Sequence, residues 1–350
     1  MISVCIITKN ESENLKKCLS LIKPHGVEIV VVDTGSTDNT LEVAHRFTSS
    51  VYNFDWCNDF SAARNYAIKK AAHDNIVFLD TDEFITEVSM KELEALMEKN
   101  PLKVGRIHRK NFYTSMGNEM SANELINRCF NKQYFKYSGK IHEQIVSIDE
   151  PDLSYETYIA PIHIDHTGYI GSMPDKEKKA HRNITLLKEM LMESPTDTYI
   201  LYQIGKAYFF IEDYKNASAY FSKIFSLPFD TKYEYVTDMI ISYGYSLINS
   251  GNMTAALDLE KYMNTYSENA DYLFMMGFVY MQNTLFDKAV NSFIAATEKP
   301  ISAVNGTNSF LAYYNAGVIY ECLGYKEDAK KLYSKCGSYD KALLGLERCK

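Results

Sequence analysis

The chain has 350 residues, 46% of them hydrophobic and 23% charged, with a net charge of −8. That length exceeds one typical domain and sets two as the expectation. The acidic balance argues against a nucleic-acid binder, and no apolar run reaches the roughly 18–20 residues that would span a bilayer.

Ile2–Thr8 reads as an apolar strand with no basic segment or cleavage site before it, which predicts a cytoplasmic location. Asn10 can cap a helix in which Leu15, Cys18, Leu19 and Ile22 recur at helical spacing. Val27–Val32 is a second strand, ending at Asp33. The polar loop Thr34-Gly35-Ser36-Thr37-Asp38 leads into a helix through Leu41 and Ala44. Tyr52–Phe54 is a short strand, Asn58–Ala72 a helix, and Ile76–Leu79 a strand that stops at Asp80-Thr81-Asp82-Glu83. In an extended segment positions i and i+2 point the same way, so Asp80 and Asp82 can share one cation. Strands alternating with helices predict a parallel sheet, whose ligands sit beyond the carboxyl ends of the strands. Thr8, Asp33 and Asp80 all fall at such ends and should converge.

Residues 84–172 are less regular. Lys99 to Lys140 holds nine Lys or Arg and only Glu119 and Glu124 as acids, either a solvated face or a rim that attracts anions. The seven cysteines (Cys5, Cys18, Cys57, Cys129, Cys322, Cys336 and Cys349) are odd in number, irregularly spaced and without a C-x-x-C, the pattern of reduced thiols.

After Pro174 the pattern is nearly continuous helix, with Ile184, Leu187 and Leu191 on one face. Gly205-Tyr208-Ala217-Phe221, Gly277-Tyr280-Ala289-Phe293 and Gly317-Tyr320-Ala329-Tyr333 share one spacing, and Gly244-Leu247-Ala256-Glu260 keeps it with weaker residues. The starts lie 39, 33 and 40 residues apart. This resembles the tetratricopeptide repeat, in which small residues let paired helices approach and aromatics fill the space between them. Such an array recruits a partner, buttresses the first domain, or pairs two copies into a homodimer.

Four N-terminal pieces read together: Ile6-Ile7-Thr8-Lys9-Asn10-Glu11, Val30–Asp38, Asn58-Asp59-Phe60-Ser61-Ala62-Ala63-Arg64-Asn65, and Phe78-Leu79-Asp80-Thr81-Asp82. In this order they resemble the family 2 glycosyltransferases of the GT-A fold. Gly139-Lys140-Ile141-His142-Glu143 and His166-Thr167-Gly168-Tyr169, followed by the repeats, resemble a bacterial subgroup that includes the sublancin-type peptide S-glycosyltransferases. The resemblance implies an α/β GT-A domain over residues 1–172, Rossmann-like with a mostly parallel sheet, and an all-α tetratricopeptide-like solenoid over 173–350.

It also implies a nucleotide-sugar donor, a UDP-sugar, and a divalent cation, Mn²⁺ or Mg²⁺. Asp33 would accept from a uracil N–H, with Thr8 and Glu11 bordering the pocket. Arg64 would clamp the donor, or else pair with Asp59 or another carboxylate. Asp82 would bind the cation directly, Asp80 directly or through ribose and water, and His166 would add a nitrogen ligand. Transfer with inversion needs a base. The family's usual Glu-Asp or Asp-Asp pair and Gln-x-x-Arg-Trp motif are absent, and the single tryptophan, Trp56, lies far upstream. Glu143 takes the place of the base, with His142 lining the site. The acceptor is a peptide or protein side chain, or a saccharide in cell-surface glycan assembly. An inactive transferase-like scaffold is the alternative of another class.

Overall fold

The computed structural model describes residues 1–115, 118–151, 153–169 and 173–350. The chain divides into two compact units, Met1–Gly171 and Ser172–Lys350. The expected boundary at 172/173 adjoins residues 170–172, which lie outside the described residues.

The first unit opens with β1 (Ile2–Thr8), α1 (Ser12–Ile22), β2 (Glu28–Asp33), α2 (Thr40–His45), β3 (Val51–Asn53), α3 (Phe60–Lys70) and β4 (Asn75–Phe78). There follow β5 (Glu83–Val88), α4 (Met90–Lys99), β6 (Val104–Ser115), β7 (Asn118–Asn131), β8 (Phe135–Ser138), β9 (Gln144–Ser147) and β10 (Thr157–Tyr169). Among the described residues eight strands form one sheet in the order β3-β2-β1-β4-β7-β6-β10-β5. β1 runs parallel to β2 and β4, and β2 parallel to β3.

Alternation along β1 assigns each side chain to a layer. Val4 and Ile6 pack with Leu15, Cys18, Leu19 and Ile22 of α1. Cys5 packs with Ala67 and Ile68 of α3. Burial on both faces explains why these strands read as continuous apolar runs.

Asn10 does not cap α1. Glu11 holds the cap position, and no side chain bonds there. Asn10 instead takes a left-handed φ of 53° and ties two loops together: its Oδ1 accepts from the Thr37 N–H at 2.7 Å, and its own N–H donates to Ser36 Oγ at 2.8 Å. On α3 a side-chain cap does form, as Asp59 Oδ1 accepts from the Ala62 N–H at 2.9 Å.

The region that looked irregular is the mixed half of the sheet, where antiparallel and parallel pairs occur together. β6 and β7 pair from Gly105↔Cys129 to Ser115↔Asn118, and β10 lies between β6 (parallel) and β5 (antiparallel). The basic stretch is therefore not a uniform rim. Arg106 bonds the Leu125 carbonyl and Lys132 that of Ala71, while Arg109 and Arg128 turn to carboxylates.

The second unit contains α5 (Met173–Glu193), α6 (Thr198–Phe210), α7 (Tyr214–Ile224), α8 (Glu234–Asn249), α9 (Met253–Ala256), α10 (Ala270–Gln282), α11 (Phe286–Thr297), α12 (Phe310–Cys322), α13 (Lys326–Tyr333) and α14 (Asp340–Arg348). The repeat glycines touch the repeat aromatics. A Cβ on Gly277 would meet the Phe293 ring at 2.5 Å, one on Gly317 would meet Tyr333 at 2.7 Å, and Gly205 faces Phe221 in the same way. The weak repeat differs. Gly244 faces Met275, and its second helix is the single turn α9 followed by a 3₁₀ segment over Leu257–Tyr262. Glu260, standing where the other repeats place an aromatic, lies in that segment.

Seven residues after each repeat glycine the chain turns through a left-handed residue: Glu212 (φ 61°), Gly251 (84°), Thr284 (59°) and Gly324 (86°).

Candidate functional site

The register sets the strand ends level. Thr8 pairs with Asp33, Cys5 with Phe78, and the Leu79 N–H donates to the Cys5 carbonyl at 3.1 Å. β1, β2 and β4 thus deliver Thr8, Asp33 and Asp80 to one edge of the sheet. Asp33 is 2% exposed. Its Oδ2 accepts from the Gly35 and Ser36 N–H groups at 3.0 and 2.8 Å, and its Oδ1 from the Ser36 hydroxyl. The loop after β2 is folded around this carboxylate. Glu11 bonds Asn14 Nδ2 at 2.7 Å and donates its N–H to Thr40 Oγ1.

Asp80 sits between two guanidinium groups. Arg64 Nη2 donates to Oδ1 at 2.8 Å and Arg128 Nη2 to Oδ2 at 2.7 Å. Arg128 also reaches Glu83, whose Oε1 takes a further bond from Arg109 at 3.0 Å. Burial opposes the Asp80 charge, but Arg64 and Arg128 outweigh it and hold the carboxyl well below the usual carboxylate range. Burial likewise opposes charge on Arg128, and Glu83 and Asp80 keep it protonated. Arg64 does not pair with Asp59, which is occupied in capping α3. Its second partner is Glu143, through Nε.

Glu143 arrives on the connection between β8 and β9, which is docked onto α3. Asn65 bonds both backbone groups of Tyr137, donating to its carbonyl at 2.8 Å and accepting from its N–H at 2.9 Å. The Phe60 N–H donates to the Lys140 carbonyl at 2.8 Å. His142 in this connection has φ 50°, a strained value for a residue with a Cβ. The Asn58–Asn65 motif therefore holds the β8–β9 connection as well as Asp80. Burial raises the Tyr137 phenol to about 12, so it is neutral at physiological pH.

Asp82 and His166 meet on the other side of Asp80's turn. His166 Nε2 lies 3.5 Å from Asp82 Oδ2, and its Nδ1 is 2.7 Å from Asn111 Oδ1. The Thr167 N–H holds the Asp82 carbonyl at 3.3 Å. The expected set of Asp80, Asp82 and His166 is thus split in this structure: two members are together, while Asp80 is turned to arginines. Among the described residues no three His, Cys, Asp or Glu side chains gather closely enough to hold a metal ion.

Arg128, Glu83 and Arg109 were not singled out by the sequence reading. Glu83 adjoins the Asp80-Thr81-Asp82 segment, and its complete burial is what a strand-initial acid inside an apolar run would signal. Arg128 stands before the buried pair Cys129-Phe130, a similar cue. No local pattern joins the two.

Residues 3–145 match the family model described as Glycosyl transferase family 2, and residues 198–231 and 311–343 match a tetratricopeptide repeat model. The family 2 match lies within the N-terminal unit, Met1–Gly171. The family 2 domain here is followed by tetratricopeptide repeats, as expected from the sequence. The chain is similar to the SPbeta prophage-derived glycosyltransferase SunS of Bacillus subtilis, 26% identical over 321 residues, covering 86% of this chain and 72% of that one. It is also similar to a TPR repeat-containing protein of Synechococcus elongatus, 28% identical over 215 residues, of which it spans about half, 51%. Among solved structures, the TPR protein YrrB aligns with a TM-score of 0.42 at 21% identity, over 49% of this chain and 86% of that one. No helix among the described residues is long and apolar enough to cross a membrane.

Proposed function

We propose that this family 2 glycosyltransferase is an inverting, cation-dependent enzyme that moves a hexose from a UDP-sugar to a peptide or protein side chain in the cytoplasm. The observation that carries the reading is the Asp82–His166 pair beside the arginine-held Asp80, at the edge of the sheet where Thr8 and Asp33 also end.

A nucleotide diphosphate brings two negative groups to this edge. Arg64 Nη1 and Arg128 Nε are buried donors with no hydrogen-bond partner among the described residues, and Thr8 Oγ1 is a buried hydroxyl in the same condition. Such groups call for a partner, and an anionic, hydroxyl-rich donor supplies it. Asp33 and Glu11 are assigned to the base and ribose, and Asp80 to the ribose while it anchors both arginines.

A divalent cation fits the remaining pair. An anionic oxygen and an imidazole nitrogen 3.5 Å apart are suitably spaced to share one ion. The mixed oxygen–nitrogen set favours Mn²⁺ over Mg²⁺. When bound, the cation offsets charge on the departing diphosphate.

The reacting groups of the chain follow. The acceptor's Ser, Thr or Cys side chain attacks the anomeric carbon as the bond to the UDP oxygen breaks, and UDP leaves with the electron pair. Glu143 takes the acceptor's proton, and His142 lines the acceptor side. The repeats and the resemblance to the sublancin-type peptide S-glycosyltransferases support a peptide or protein acceptor over a saccharide.

Calorimetry with UDP tests the reading. Wild-type protein should bind UDP more tightly with Mn²⁺ present, and Asp82→Ala should lose that enhancement while remaining folded. An unchanged enhancement in Asp82→Ala would remove Asp82 from the cation site.

A further inference from the structure

His166 does not stand alone. It is in register with Asn111 on β6 and with Glu83 on β5, and both Asn111 and His166 are buried, at 7% and 8% exposure. Asn111 Oδ1 lies 2.7 Å from His166 Nδ1. The other end of the Asn111 amide, Nδ2, donates to Glu124 Oε1. That same oxygen accepts from Arg109 at 2.8 and 2.9 Å, and Arg109 continues to Glu83 at 3.0 Å.

The chemistry fixes the direction of every bond in this row. A carboxylate beside a guanidinium only accepts, so the Asn111 NH₂ must face Glu124. The Asn111 carbonyl oxygen must then face His166, and a carbonyl oxygen only accepts. Nδ1 of His166 therefore carries the proton. In the neutral ring Nε2 is left as the lone-pair nitrogen, and Nε2 is the atom that faces Asp82.

We infer that Asn111 is a positioning residue for the cation-binding histidine, and that Arg109 and Glu124 act through it. Together they hold His166 in the tautomer that offers Nε2 to a divalent cation. The inference rests on the cation reading given above. Residues one shell out from a metal-ligating histidine characteristically change metal affinity 10–100-fold when removed. Asn111 and Glu124 belong to the polar strands β6 and β7, outside every motif that points to the site.

Two measurements on the full-length protein test it. The first is the protonation pattern of His166 in metal-free wild-type protein at alkaline pH, from long-range ¹H–¹⁵N correlations, with the signal assigned by its loss in His166→Ala. A proton on Nδ1 is the expected result, and a proton on Nε2 would overturn the inference. The second is Mn²⁺ affinity by electron paramagnetic resonance, with one equivalent of UDP. Asn111→Leu should bind about 10–100-fold more weakly than wild type. The exchange Asn111→Asp with Glu124→Gln, which keeps an acceptor toward Nδ1, should restore binding. Wild-type affinity in Asn111→Leu, or failure of the exchange to restore it, would overturn the role of Asn111 while leaving the cation reading intact. Wild-type affinity in His166→Ala, or no Mn²⁺ binding by the wild-type protein, would overturn the cation reading and this inference with it.

Discussion

Arg64 and Glu143, 79 residues apart in the chain, are joined by an ion pair in which the side chains are 7% and 9% exposed. The same guanidinium holds Asp80 through a second nitrogen and lies 4.5 Å from the centre of the Phe78 ring. One side chain on α3 thus links the end of β4 to the β8–β9 connection. Donor-side and acceptor-side groups of the proposed reaction are fixed to each other through it.

Breaking that link should be costly. Arg64→Met takes the arginine away from Glu143 and leaves Asp80 with Arg128 alone, and loss of one partner from a buried pair costs about 3–5 kcal/mol. Arg64→Lys should recover only part of this, because an ammonium cannot reproduce a planar fork with separate Nε and Nη2 bonds. Urea unfolding of the two variants against wild type is the check. Equal stability of all three would mean that the pair is dispensable.

The Asp80 environment gives stability a pH dependence. Its carboxyl is more acidic folded than unfolded, because Arg64 and Arg128 outweigh the opposing effect of burial. Its contribution is therefore complete above the ordinary carboxylate range. It is lost progressively as pH falls below about 4 toward the depressed folded value. Asp80→Asn should have a flatter stability profile between about pH 5 and pH 3 than wild type. Parallel profiles would show that Asp80 contributes no such dependence.

Glu143→Gln keeps the size of the side chain and an acceptor for Arg64. Removing a general base typically slows the chemical step about 10²–10⁴-fold. UDP affinity should stay near wild type while transfer falls by that order. Transfer at the wild-type rate would place the base elsewhere in the chain.

Much of this was legible in the sequence. Strands buried on both faces, such as β1 and β4, are continuous apolar runs, so their ends could be located along with Thr8, Asp33 and Asp80. The repeat glycines and aromatics were legible because each pair is one local contact, Gly277 on Phe293 for example. The long strands β6, β7 and β10 were not, since segments such as Asn118–Asn131 mix charged, amide and apolar residues without a steady period. Arg128 on β7 and Glu83 on β5 meet only through the sheet order, which no local pattern encodes. The break after α9 was signalled only by Glu260 replacing an aromatic.

The repeat turns offer a prediction independent of the active site. Gly251 and Gly324 occupy the left-handed position without penalty, but Thr284 does so with a branched Cβ. The left-handed conformation costs a residue with a Cβ roughly 1–2 kcal/mol, and glycine loses about 0.5–1 kcal/mol more chain entropy on folding. Thr284→Gly should therefore stabilise the protein by about 0.5–1 kcal/mol on balance, read as a higher urea midpoint at unchanged slope. A lower midpoint would mean that the threonine side chain makes compensating contacts.

The proposed activity is that of a cation-dependent transferase using a UDP-sugar. The most direct test is UDP release by the purified protein from a panel of UDP-sugars, with and without Mn²⁺. Manganese-dependent release from one member of the panel is the expected result. No release from any donor, together with no UDP binding by calorimetry, would contradict it and favour an inactive scaffold.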